Sequence, residues 1–344
     1  MKQCLLILVA VLLATSCSRV KTYGSLPGTA SSRTTDSLAS LIAWVEQIAV
    51  QKADSMRIVD SLEAVTHTVD TNSLFGKKHM LVAVVEVNDH LFSNVSCYRD
   101  SATGKPIFDL AFPFAANLNI DPGTGKAYVS YNPEWQAMLA NGTFTQVQNA
   151  GIPVGLSLLG NHDAAGWSNF ANLADATAFA QLVAIQVRRY GFSAVLTDDE
   201  YSNYVSNADP NSYVMVMSEI KRLLPDIFLC YYDIGGGSGS YNGKQMGDIA
   251  DANFPPFYPE YPSNDDNFPN SKTFASCSET DGGFGDPVAT ATQLKNEGRN
   301  GFMFYNVWAG GSFYAPYVSG LKGLTLATPQ GCLNGQEYDF INGQ

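Results

Sequence analysis

Three consecutive acids, Asp198, Asp199 and Glu200, close an apolar run from Phe192 to Leu196 within the stretch Tyr190 to Tyr204. Side chains alternate across a strand, so Asp198 and Glu200 share one face and Asp199 takes the other. Two carboxyls held that close, with partial burial, raise at least one pKa, and a carboxylic acid that keeps its proton near neutral pH can act as a proton donor. The structural alternative is a solvated strand end or a helix N-cap, because acidic triplets are common in loops.

Other chemistries find less support. The histidines, His67, His79, His90 and His162, have no H-E-x-x-H or paired spacing, so a catalytic metal is not expected. His162, in LGNHD, is the one near a strand end. Ser157 and Ser193 lie in GLSLLG and GFSAV, which lack the last glycine of a nucleophile elbow. The GGGSGSYNG run at Gly235 to Gly243 lacks the Lys-Ser/Thr of a phosphate loop and reads as a mobile loop beside a pocket. Aromatics crowd the later loops, among them Phe254, Phe257, Tyr258, Tyr261, Tyr305 and Trp308; because NFPPFYPEYP cannot enter a regular sheet, some of these rings face outward, where they suit the apolar faces of sugars. No cofactor motif is present.

The elements that must position these residues alternate in type. Strand-like segments run over Met80 to Val87, Ile107 to Phe114, Val154 to Leu159, Ala194 to Asp198, Ile227 to Tyr232 and Gly301 to Asn306, with weaker ones near Ile249 to Phe254 and Thr273 to Ser276. Helical patterns fall at Glu134 to Ala140, Leu173 to Arg189, Tyr213 to Leu224 and Pro287 to Glu297. The second carries an apolar stripe of Ala176, Phe179, Ala180, Val183 and Val187, with Asn172 placed to cap it. Eight strands in about 265 residues predict an α/β fold of the (β/α)8 TIM barrel type, with some outer helices irregular or missing; a doubly wound sheet is the alternative. Barrel chemistry sits at the C-terminal strand ends. There the chain places Asp198 and Glu200, with Glu86 to Asp89, Asn117, Asn161, His162, Tyr232, Asp233, Tyr305 and Asn306 as further lining.

Lys and Arg number 20 against 32 Asp and Glu, a net charge of -12, which argues against a partner that is a nucleic acid. Residues 1–16 have the plan of an export signal, with Lys2 ahead of the apolar Leu5 to Ala14, and Leu13 to Cys17 reads as a bacterial lipoprotein site that leaves Cys17 as the lipidated N-terminus. The expected organisation continues with a flexible tether at 17–36, a helical segment at 37–77 and the catalytic barrel at 78–344. The membrane is then met through a lipid anchor alone, at the outer membrane. Cys97, Cys230, Cys277 and Cys332 show no C-x-x-C pair, and Cys230 reads as core.

The blocks VVEVN (Val84 to Asn88), FAANLNIDPGTGKAYVSYN (Phe114 to Asn132), LSLLGNH, TDDEYSNY, YDIG and FYNVWAGG resemble the Endo H and Endo F type endo-β-N-acetylglucosaminidases of glycoside hydrolase family 18 over most of residues 79 to 328. That resemblance implies hydrolysis of the GlcNAc-β-1,4-GlcNAc bond in N-glycan cores, with the substrate's 2-acetamido oxygen as nucleophile. It matches Glu200 to the general acid/base, Asp198 to the residue that orients the acetamido group, and Tyr232 to a further donor. Upstream on the strand the family carries acids where this chain has Ser193 and Leu196, and Ala194 replaces a usual glycine. Two other readings stay open: a glycan-binding lipoprotein that kept the barrel without useful catalysis, and a chitinase-like hydrolase.

Overall fold

The computed structural model describes residues 74–264, 267–308 and 312–327. Strand β1 (Met80–Glu86) is followed by a 3-10 helix, Phe92–Cys97, and the short β2 (Arg99–Asp100). Next come β3 (Leu110–Phe114), β4 (Ala116–Asp121) and β5 (Lys126–Ser130), then helices α1 (Pro133–Asn141) and α2 (Thr143–Asn149). Strands and helices alternate from there: β6 (Gly155–Asn161), α3 (Leu173–Tyr190), β7 (Ala194–Tyr201), α4 (Ser212–Leu223), β8 (Phe228–Tyr232) and the one-turn α5 (Met246–Ile249). The described chain ends with β9 (Ala252–Phe254), β10 (Phe274–Ser278), α6 (Pro287–Asn296), β11 (Gly301–Tyr305), α7 (Ala315–Lys322) and β12 (Leu326–Ala327). The fold is α/β, and the expected irregularity of the outer layer falls after β1 and β9, where 3-10 turns replace helices, and after β8.

The parallel strands form two sheets, in the orders β10-β11-β1-β3 and β4-β6-β7-β8-β9, the second extended at its edge by the antiparallel β5. Among the described residues no ladder closes on itself. Single parallel bridges join the sheets at both seams, Ala111 with Val154 and Asn253 with Thr273. Strands β3 and β4 are one chain direction bent at Phe114–Ala115, whose peptide is cis, so a single stretch contributes to both sheets.

Period-two alternation sorts the apolar residues into two cores. One cluster holds Met80, Val82, Val84, Leu110, Phe112, Phe114, Ala194, Leu196, Phe228, Cys230, Tyr232, Phe254, Phe274 and Met303, every second residue of its strands. The other holds the intervening positions, such as Leu81, Ala83, Val195, Leu229, Phe302 and Phe304, packed against the helices. We call these the inner and outer sides. Leu74 joins the inner cluster.

Helix α3 shows how local sequence secures this layering. The Asn172 side chain accepts from the Asp175 N–H at 3.0 Å, and Gly191, at φ 65°, ends the helix in a left-handed turn. Its stripe Ala176, Phe179, Ala180, Val183 and Val187 is buried as expected, each larger side chain contributing about 1.5–3 kcal/mol. Among cysteines, Cys97 is disulfide-bonded, while Cys230 and Cys277 are buried free thiols.

Candidate active site

Ala194 and Leu196 belong to the inner cluster and Val195 to the outer one, so the alternation delivers Asp198 inward and Asp199 outward. Both are 1% exposed, whereas Glu200 is open to solvent. The register between β6 and β7 jumps here: Leu159 pairs with Asp198, but Asn161 pairs with Tyr201. This inserts an extra residue on β7 at the acidic triplet, and such a bulge re-aims side chains next to a site.

The Glu200 N–H donates to Asp198 Oδ1 at 3.1 Å. Asp198 Oδ2 is buried with no hydrogen-bond partner among the described residues. Beneath it the inner side is apolar, with Ala194, Leu196, Phe228 and Cys230, and Ser193 lies outside that floor, its backbone paired to Val154 and Phe228. Burial therefore raises the Asp198 pKa well above the usual carboxylate range, the neighbouring Glu200 and Asp199 charges push the same way, and the Glu200 N–H opposes them.

Asp199 is anchored differently. Its Oδ1 accepts from Trp167 N–H at 2.9 Å and Ser202 O–H at 2.7 Å, and its Oδ2 from Ser168 N–H at 3.0 Å. Gly160 and Gly166 make room for this knot, since a Cβ on either would fall 2.0 or 2.4 Å from Ser202 Oγ.

Across the inner side stands a wall of phenols. Tyr232 donates to the Pro256 carbonyl at 2.8 Å and lies 2.5 Å from the Tyr258 hydroxyl. The Tyr258 ring stacks on Tyr305, centroids 5.2 Å apart, and Tyr305 donates to Glu86 at 3.1 Å. One phenol has one proton, so Tyr232 binds Pro256 and receives from Tyr258. Burial pushes the Tyr232, Tyr258 and Tyr305 phenols far up, so all three stay neutral.

The sequence-predicted residues thus divide. Asp198, Glu200, Tyr232 and Tyr305 are brought to one mouth. Asn161 follows in the inward phase of β6, half-buried, its carbonyl accepting from Asn119. His162 is exposed on the rim at φ 57°, its ring tilted against Tyr201 at 5.1 Å. Asp233 departs from the expectation: one residue past the inward Tyr232, its carboxylate accepts from Asn253 and faces Tyr231, an outer-cluster residue. Asn306 is likewise in the outward phase of β11, 9% exposed at φ 53°, its Oδ1 buried with no partner among the described residues. Trp308 packs on the outer cluster and stacks on His90, centroids 5.5 Å apart.

Glu86, expected as lining at the end of its strand, continues the inward series Met80, Val82, Val84, a phase visible in VVEVN. Sequence reasoning did not single out Tyr258 from the other loop aromatics, because its proline-rich segment has no period to read. Among the described residues no group of His, Cys, Asp or Glu is arranged to hold a metal, and no helix is long and apolar enough to cross a membrane. Cys17 lies outside the described residues.

No family model matches the chain. It is 34% identical over 258 residues to an endo-beta-N-acetylglucosaminidase of Flavobacterium sp. (strain SK1022), covering 70% of this chain and 78% of the relative. It is also 34% identical over 161 residues to endo-beta-N-acetylglucosaminidase F1 of Elizabethkingia meningoseptica, spanning 47% of that protein. Among solved structures it resembles Bacteroides thetaiotamicron EndoBT-3987 with a Man5GlcNAc product, at TM-score 0.66 and 26% identity over 76% of this chain, and spans 64% of that chain's length. The same enzyme in complex with a Man9GlcNAc2Asn substrate matches at TM-score 0.66 and 25% identity. With that identity held over most of a relative's length, and the same architecture in a solved enzyme, the chain belongs to the endo-β-N-acetylglucosaminidases, which are glycosidases.

Proposed function

We propose that the protein hydrolyses the GlcNAc-β-1,4-GlcNAc bond in the core of N-linked glycans with retention, the substrate supplying its own nucleophile. The observation that carries this is the buried, unpartnered Oδ2 of Asp198 beside the exposed Glu200. A buried acceptor without a donor is costly, and a 2-acetamido N–H is a donor of the right kind. In the empty site burial favours the proton on Asp198; an acetamido N–H at Oδ2, and then positive charge on an oxazolinium ring, both favour the carboxylate. Asp198 thereby orients the acetamido oxygen toward the anomeric carbon. Glu200, facing solvent, protonates the leaving oxygen and afterwards takes a proton from the attacking water.

Tyr232 serves better as part of the wall than as a free donor, because its proton is engaged by Pro256. The two sheets are read as one (β/α)8 barrel, closed through the Ala111–Val154 and Asn253–Thr273 seams, with Asp198 on the fourth strand from Met80. Asn161, Tyr305 and Trp308 are retained as substrate contacts. Export as an outer-membrane lipoprotein through Cys17, with residues 18–36 as tether and 37–77 helical, completes the reading.

The test is mass spectrometry of glycoproteins bearing defined N-glycans after incubation with the protein or with Glu200→Gln. Release that leaves one GlcNAc on the protein, absent with the variant, is expected. Glycan retention without cleavage by either would replace this reading with that of a binding lipoprotein.

A further inference from the structure

Away from the carboxyl pair, three rim segments converge: those after β1, β10 and β11. Glu279, the first residue past β10, is half-buried. Its Oε2 accepts from the Trp308 N–H at 3.1 Å and from the Tyr314 O–H at 2.5 Å, while its Oε1 is buried with no partner among the described residues. The Trp308 carbonyl is held in turn by the Tyr98 hydroxyl, and the Tyr98 and Tyr314 rings meet edge to face at 4.7 Å. Both the N–H and the C=O of Trp308 are therefore tied to side chains, and its indole is stacked on His90 with an interplanar angle of 23°. A carboxylate is an expensive group to bury for one N–H and one O–H, whereas a charge-assisted bond to a backbone N–H is short and directional. That exchange makes sense where a main chain must not drift.

We propose that Glu279 is a positioning residue that fixes Trp308 as one wall of the glycan cleft, where the indole takes the apolar face of a pyranose ring. This rests on the reading of Trp308 as a sugar contact. Glu279 itself touches no substrate; it acts through the main chain of Trp308, and Tyr314 and Tyr98 brace it from behind.

The test compares the protein with Glu279→Gln and Glu279→Ala in a glycan-release assay and by tryptophan emission. The sequence has 4 tryptophans, so the Trp308 contribution is isolated by difference from Trp308→Phe. Glutamine keeps an oxygen for the Trp308 N–H, so its KM is expected within about threefold of the parent, with emission unshifted. Alanine is expected to raise KM about tenfold, leave kcat within about threefold and shift the Trp308 emission. A folded alanine variant with unshifted emission and parental KM overturns the proposal. So does a glutamine variant as impaired as alanine, or a loss confined to kcat and melting temperature. Should the parent release no glycan at all, the cleavage reading fails on its own; the emission shift, and quenching of the same indole by added N-glycan, then decide the role of Glu279.

Discussion

On the inner side of β7, Asp198 has one backbone donor, a bare Oδ2 and an apolar floor; on the outer side, one residue further, Asp199 takes three donors from Trp167, Ser168 and Ser202. The two side chains are chemically identical and equally hidden from water. What separates them is how many of their acceptor sites the fold has filled. A carboxylate whose acceptors are satisfied holds structure together. One left short of donors inside a pocket is held ready for a ligand that brings them.

The sharpest way to break that contrast is Asp198→Asn. Steady-state assays are expected to show activity lower by about 10²–10³-fold, the range for losing a preorganised group that stabilises developing charge, while the fold persists. The same variant tests the electrostatics. The folded Asp198 pKa is raised, so between the ordinary carboxylate range and that raised value the folded state keeps a proton the unfolded chain has lost, and stability falls as pH rises through the window. Asparagine abolishes the fall. Melting temperatures of variant and parent should agree at acidic pH and separate in the variant's favour toward neutrality; the opposite trend would mean that Asp198 is stabilised as an anion.

On the outer side the expected effects are on stability. Gly166→Ala places a Cβ 2.4 Å from Ser202 Oγ and 2.9 Å from Asp199 Oδ1, and denaturant unfolding should register a loss of about 1–3 kcal/mol. Asp199→Asn turns an acceptor pair into one acceptor and one donor facing N–H groups, and should lose about 1–3 kcal/mol by the same measurement, with activity falling no more than the unfolded fraction explains. An Asp199→Asn enzyme that is stable yet inactive would erase the distinction between the two faces. Smallest is Tyr258→Phe, which removes one donor from Tyr232 and is expected to lose about 0.5–1.5 kcal/mol with a modest change in kcat/KM.

How much of this could be read in the chain depends on range. The inward pairing of Asp198 with Glu200 follows from a two-residue period, and the Asn172 cap from a contact three residues away, so both are local and legible. The bulge opposite Leu159 is not, because it belongs to the pairing of two strands. Asp233 and Asn306 show the same limit: each stands at a strand end, as expected, but which face a strand-end residue takes depends on a phase fixed by neighbouring strands. The antiparallel β4–β5 hairpin was hidden inside a block read for family likeness, although its Asp121 to Gly125 turn carries strong turn residues. The helical segment expected at 37–77 lies almost wholly outside the described residues.

The floor beneath Asp198 has one more consequence. Where a column of carboxyls runs down such a strand, a proton could be handed away from the mouth and returned later; here Leu196 and Ala194 interrupt any such path. On the proposed mechanism, protons then reach Asp198 from the mouth, the side that Glu200 faces, and the attacking water itself brings in the proton that Glu200 takes up.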